Sequence, residues 1–294
     1  MLVAYLVVSV IWGSTYLAIR IGVQELPPAL FAGLRFVVAG SVLLVVARLL
    51  GHRLPARGRD WRTNAVVGLL LLFCGNGLVV WAEQYTPSGI AAIFVVTVTL
   101  WLALFDAVIP GSPARPTLRQ VAGLLVGFGG TMLLVGEDLG ALRDADWRGP
   151  VALTTGAALW ALGSVYSTRQ PTQSGPYVNS ALQMLAGGIA LVIVGTAAGE
   201  WSAMHLSPRG IGALAYLIVF GSLVAYSSYV YLLRHLPPTV LGTHSYVNTV
   251  VAVFLGWLVL AEPLTARTLV AMAIVLGAVV WVRGRREKRE DVRT

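Results

Sequence analysis

Gly13-Ser14-Thr15-Tyr16 returns as Gly163-Ser164-Val165-Tyr166, 150 residues later in a chain of 294. Each copy lies in an apolar stretch soon after a tryptophan, Trp12 and Trp160. A membrane protein that repeats itself at its midpoint is most often a transporter of two halves with the substrate between them.

Composition requires a lipid environment. Apolar residues make up 57% of the chain and charged residues 12%, and mean hydropathy is +0.77. Soluble domains carry about 25% charge, and no water-soluble core of this size hides so much apolar side chain. The chain is basic, net +8, yet its arginines flank apolar runs. There they address anionic headgroups and set orientation, which argues against nucleic acid as a partner. Cys74 is the only cysteine, so no intramolecular disulfide forms. Leu2 to Ile19 approaches a full span and lacks a basic leader, so it reads as the first membrane helix.

About 20 apolar residues cross a bilayer. Ten stretches qualify: 2–20, 29–50, 64–83, 88–109, 117–136, 149–168, 177–198, 209–233, 239–260 and 265–283. Prolines such as Pro27-Pro28, Pro171, Pro208 and Pro237-Pro238 punctuate the short connections. With the N-terminus inside, fifteen loop Lys and Arg residues are cytoplasmic and five external. This predicts an inner or plasma membrane protein with both termini cytoplasmic.

Further pairs fall at nearly the same offset: Ala39-Gly40 with Gly187-Gly188, Thr97-Val98-Thr99 with Val247-Asn248-Thr249, and Gly129 with Gly277. The expected fold is therefore an all-α integral membrane protein of ten transmembrane helices in two inverted five-helix repeats. The expected units are 1–140 (spans 1–5), 141–283 (spans 6–10) and a basic cytoplasmic tail, 284–294. An odd number of spans per half turns the second half upside down, which supplies two related conformations.

Trp12 to Tyr16, Leu34-Arg35-Phe36, Pro87 to Ala92, Tyr246-Val247-Asn248 and Ala261 to Leu264 together resemble the EamA family of the drug/metabolite transporter superfamily, closest to its YedA-like branch. The resemblance covers nearly the whole chain. It implies ten helices in two inverted repeats and export of amino acids and related small metabolites, aromatic amino acids among them. Family members often carry proline where this chain has Thr99 and Thr249, so the substrate range is open to difference.

Polar groups inside spans mark a transporter's site by default. Arg35 and Glu83 lie near the same surface and could pair, with Glu83 either a proton-coupling carboxylate or half of a fixed ion pair. Asn76, Gln183 and Asn248 offer donors and acceptors for a zwitterion, or for neighbouring helices. Ser14 and Ser164 sit at matching motif positions, where back-bonding to the previous turn is the alternative. Among aromatics, Trp101, Trp160 and Tyr246 are deep enough for a cavity. His244 titrates near physiological pH when unperturbed. Asp106 reads as an interfacial charge. No H-E-x-x-H, G-x-S-x-G or P-loop pattern occurs, and the four histidines are scattered. No catalytic residue, metal ligand or cofactor is expected.

The sequence thus predicts a secondary exporter of aromatic or neutral amino acids working by alternating access. Its expected partners are a small-molecule substrate and the lipid bilayer, with protons added only if Glu83 is a coupling carboxylate. A lipophilic-cation exporter of the same fold is the alternative, and an intramembrane enzyme or scaffold is the alternative from another class. Transport direction, coupling and oligomeric state are not legible.

Overall fold

The computed structural model describes residues 1–86, 91, 94–111, 116–135, 146–260 and 265–283. The 87–92 and 261–264 motifs therefore fall largely or wholly outside the described residues, as do most of the acidic 136–148 loop and the whole 284–294 tail.

The described residues form helices and no strands: α1 (Leu2–Glu25), α2 (Pro28–Leu49), α3 (Gly58–Ala82), α4 (Val98–Val108), α5 (Leu118–Val135), α6 (Arg148–Arg169), α7 (Pro176–Ala197), α8 (Pro208–Leu233), α9 (Pro238–Gly242), α10 (His244–Leu260) and α11 (Ala266–Arg283). Each of the ten apolar stretches carries helix. Five helices (α1, α2, α3, α7 and α8) are long and apolar enough to cross a membrane, and shorter apolar helices accompany them. Their ends reflect local chemistry. Pro28, Pro176, Pro208 and Pro238 occupy first helical positions, where the missing N–H costs nothing. Ser207 caps α8 by accepting from the Gly210 N–H at 2.9 Å. Gly51 and Gly199 lie just beyond α2 and α7 with φ of 81° and 73°, a conformation that favours glycine.

Several landmarks recur at a spacing of 148 residues. Pro28–Leu49 and Pro176–Ala197 differ by 148 at both ends, and the helices that start at Leu118 and Ala266 start 148 apart. Gly51 and Gly199 have the same spacing. Helices α3 and α8 each contain a π-helical segment, Leu69–Asn76 and Leu217–Tyr226, whose starts are again 148 apart. Such segments add a residue to the turn and rotate the remainder of the helix.

The packing matches this spacing. Helices α2 and α7 lie against each other, as do α5 and α11. A Cβ on Gly40 would meet Ala181 and Leu185, while one on Gly188 would meet Gly33 and Val37. Small residues let the two backbones approach closely, as membrane helices require. Helix α1 packs on α8 and α10, and α6 packs on α3 and α4.

The G-S-x-Y copies do not share this register. Gly13 abuts the Asn248 carbonyl and Val251, whereas Gly163 abuts Leu70 and Leu71. The residue 148 beyond Gly13 is Ala161, which packs with Val98 and Leu102 of α4. The two tryptophans before the motif are the pair at that spacing, and their rings meet edge-on at 5.4 Å.

Candidate functional site

The α1–α2 connection, the C-terminal end of α3 and the start of α8 gather at one end of the bundle. There an Arg20 Nη1–H donates to the Glu83 carbonyl, and Glu200 accepts from the Ala29 and Leu30 N–H groups. At this end, outside the helices, hydrogen bonds from Arg148 hold the Asp146 carboxyl below its usual range. The opposite end gathers the α2–α3, α6–α7 and α8–α9 connections. Arg169 Nη2 meets Asp106 Oδ1 at 2.6 Å there, and Thr239 donates to Asp106 Oδ2 at 3.3 Å. Asp106 is 1% exposed. It is a buried ion-pair member rather than an interfacial charge, because Arg169 reaches it from the end of α6.

Between the ends lies a cavity with about 90 Å³ open to water centres, where a single water needs about 10–15 Å³. Every major helix around it contributes a wall: Trp12, Thr15 and Tyr16 from α1, Arg35 and Phe36 from α2, Asn76 from α3, Val98 from α4, Trp160 from α6, Tyr226 from α8, and His244 and Asn248 from α10. The π-helical segments supply Asn76, Gly221 and Tyr226 to it. A second, wider space of about 540 Å³ opens at the Asp106 end, lined by Asn64, Asn179, Gln183 and Arg234 among others.

Aromatic rings make up much of one cavity wall. Trp12 contacts Trp160, Tyr229 and His244 with centroids 5.1–5.4 Å apart. Tyr229 is locked by Ser164 Oγ at 2.8 Å and by the Trp160 indole N–H at 3.0 Å. From the cavity, Tyr226 donates to Gln183, and Gln183 donates to Asn64. Asn64 donates on to Asn179, a lining residue of the wider space.

The structure brings Arg35, Asn76, Trp160, His244 and Asn248 of the sequence candidates to one cavity. His244 Nδ1 lies 2.8 Å from the Leu241 carbonyl. Asn248, with its amide nitrogen turned toward them, donates to the Ser9 and His244 carbonyls at 2.8 Å each. Asn76 Oδ1 is buried without a hydrogen-bond partner among the described residues.

Other candidates lie elsewhere. Ser14 back-bonds to Ile11 and meets the Tyr216 hydroxyl. Ser164 back-bonds to Trp160 and supports Tyr229. Gln183 belongs to the polar relay and the wider space. Trp101 turns away from the cavity to stack on Phe105. Tyr246 is fully buried, donating to the Leu124 carbonyl and accepting from Thr99. The Arg35–Glu83 pair does not form. Arg35 Nε donates to Ser222 Oγ at 2.8 Å, and both Glu83 carboxylate oxygens are buried with no hydrogen-bond partner among the described residues. Sequence reasoning passes over Trp12, Tyr16 and Phe36 as wall residues, although Trp12 is conspicuous beside Gly13.

A bundle of apolar helices around a polar-studded cavity, walled by both halves of the chain, defines a membrane transporter. The chain belongs to the EamA-like transporter family, whose model matches residues 1–136 and 147–284. It is 40% identical over 274 residues to the "Uncharacterized inner membrane transporter YedA" of Escherichia coli (strain K12), covering 93% of this chain and 87% of the relative. It is 24% identical to the "Uncharacterized transporter YvbV" of Bacillus subtilis (strain 168), over 96% of this chain and 90% of that one. A solved crystal structure shares the fold with a TM-score of 0.76 at 22% identity, covering 96% of both chains. These relatives point to transport rather than catalysis.

Proposed function

We propose that this protein is an inner-membrane secondary transporter that exports small metabolites, most consistently aromatic or neutral amino acids. In this reading all ten helical stretches cross the membrane as two inverted repeats, 1–140 and 141–283, with both termini cytoplasmic. The carrying observation is the cavity wall. Trp12, Arg35 and Asn76 come from the first half, and Trp160, Tyr226 and Asn248 from the second. A site shared between halves is the one place that a rocking motion of one half against the other exposes to each side in turn.

Three further observations support the reading. Helix ends and both π-helical segments recur 148 residues apart. The Gly40 and Gly188 contacts mirror each other. The wider space opens at the end that the arginine bias assigns to the cytoplasm, where an exporter collects its cargo. Aromatic walls suit an aromatic or branched side chain, and Asn76 and Asn248 suit its polar end. Glu83, a buried carboxyl beside the backbone anchor of Arg20, is the coupling group of this reading. No Asp or Glu lines the cavity among the described residues, which weighs against a lipophilic-cation exporter.

The test is counterflow in proteoliposomes with labelled phenylalanine, tryptophan, threonine, methionine and a quaternary cation, with and without an imposed pH gradient. Saturable amino-acid exchange is expected. Exchange of the cation alone would replace the reading with drug export.

A further inference from the structure

Arg35 is 4% exposed and lines the cavity, yet among the described residues no carboxylate pairs with it. The two ion pairs there are Arg148–Asp146 and Arg169–Asp106. Its Nε–H is used by Ser222 Oγ at 2.8 Å, and its guanidinium carbon lies 4.7 Å from the centre of the Phe36 ring. Its two terminal nitrogens make no hydrogen bond to any described residue. A hydroxyl and a ring face orient a guanidinium without neutralising it. An unpaired charge at membrane depth is expensive, so an arginine held this way carries unused capacity for an anion.

The seat is also shaped. Gly221 and Ser222 lie in the π-helical segment of α8. A Cβ on Gly221 would come within 2.8 Å of Arg35 Nη2, so the glycine leaves room for the guanidinium while the adjacent serine fixes its rotation. A planar fork with one edge tethered and the other free matches the geometry of a carboxylate.

We propose that Arg35 is the anion receptor of the cavity and that the cargo is recognised by its carboxylate. This rests on the transport reading above and narrows its substrate class to carboxylates with an apolar or aromatic body. The cavity offers no acidic partner for an ammonium group among the described residues. The buried Asn76 Oδ1 has no hydrogen-bond partner among the described residues, and it would serve an ammonium only as a neutral hydrogen-bond acceptor. The carboxylate is therefore the dominant handle and the amino group a secondary one.

The experiment compares phenylalanine, 3-phenylpropionate, phenylalaninamide and phenethylamine by calorimetric binding to the purified full-length protein and by inhibition of counterflow. The two acids should bind, and the amide and amine at least tenfold more weakly. Arg35→Gln should remove at least tenfold of acid affinity and Arg35→Lys less, a charge-assisted fork being worth about that ratio. Gly221→Ala, which leaves Arg35 in place but crowds its tip, should weaken the acids without lowering the melting temperature. It keeps the test intact if Arg35→Gln does not fold.

Binding of the amine or amide as tight as that of the acids would overturn the proposal. So would acid affinity unchanged in both Arg35→Gln and Gly221→Ala, or no binding of either acid. Arg35-dependent acid binding without exchange of any compound would leave the anion site standing and remove the transport reading. Exchange confined to a quaternary cation would overturn both the anion site and the amino-acid reading, leaving drug export by the same fold.

Discussion

A methyl group at Gly68 should loosen the bundle, and the structure supplies the size of the effect. Gly68 of α3 faces the backbone of α7, and a Cβ there would lie 2.3 Å from the Gln183 carbonyl oxygen and 2.9 Å from its carbon. Ordinary contact begins near 3.4 Å, so one helix must move by about 1 Å. Neither obstructing atom is the tip of a flexible side chain. Overpacking of this kind costs about 1–3 kcal/mol. The shift also disturbs Gln183, which links Tyr226 to Asn64 at 2.8 and 3.0 Å, and each weakened hydrogen bond costs about 0.5–1.5 kcal/mol. Against this, alanine is the better helix former by about 1 kcal/mol. We predict that Gly68→Ala is net destabilising by about 1–3 kcal/mol. Gly212→Ala, where nothing lies within 4 Å, is the matched control and should be neutral or stabilising by up to about 1 kcal/mol. Both are read as melting temperatures of the purified protein in one detergent. Equal melting temperatures, or Gly68→Ala the more stable, would refute close α3–α7 packing at this point.

Asp106→Ala should destabilise by about 3–5 kcal/mol, because it leaves Arg169 buried and uncompensated; the Asp106→Ala/Arg169→Ala double variant should recover part of the loss, and a strictly additive result in thermal melts would refute the coupling. Tyr229→Phe should cost about 1–2 kcal/mol by stranding the Trp160 N–H and removing one of the two hydrogen bonds of Ser164 Oγ, detectable in the same melts as a drop that Tyr231→Phe does not share. Glu83→Gln should preserve membrane insertion and abolish any effect of a pH gradient on counterflow; a retained gradient effect would move coupling elsewhere. In a Cys74→Ser background, a cysteine at Arg53 should be labelled only from the cytoplasm and one at Ser202 only from outside, and the opposite pattern would invert the assigned topology.

The sequence reveals the helices because long apolar runs leave few alternatives in lipid, and prolines at first helical positions mark where α2, α7, α8 and α9 begin. What it conceals is rotation. A helix apolar on every side gives no signal about which side faces a cavity. Trp101 stacks on Phe105 and Tyr246 bonds to Leu124 and Thr99, and neither lines the cavity. The π-helical segments compound this, since each rotates the residues beyond it. Depth alone matches Arg35 with Glu83, and the azimuth of Arg35 directs its Nε to Ser222 instead. The register of the repeat is obscured for a related reason. The 150-residue spacing of G-S-x-Y is two residues away from the 148 that helix ends, Gly51 with Gly199 and Trp12 with Trp160 share. Short patterns of small residues recur easily in such helices; paired helix ends do not.

The mirrored contacts bear on the motion proposed above. In a two-conformation cycle between inverted repeats, a contact that maps onto itself under exchange of the halves is compatible with both conformations. The Gly40–Ala181/Leu185 and Gly188–Gly33/Val37 contacts map onto each other, so α2 against α7 has no need to change. The Asp106–Arg169–Thr239 cluster has no counterpart at the opposite end among the described residues. There Arg20 binds the carbonyl of Glu83 rather than its carboxylate. In the proposed cycle this ion-pair cluster is therefore remade when the cavity changes sides. We predict that a cross-link between cysteines at Gly40 and Leu185, in a Cys74→Ser background, leaves counterflow largely intact. A cross-link between cysteines at Asp106 and Thr239, with Arg169→Ala added so that no uncompensated charge is left buried, should stop it, with reduction of the bridge restoring activity. Loss of counterflow in a folded, cross-linked Gly40/Leu185 protein would show that α2 and α7 slide during transport and would refute a fixed axis between them.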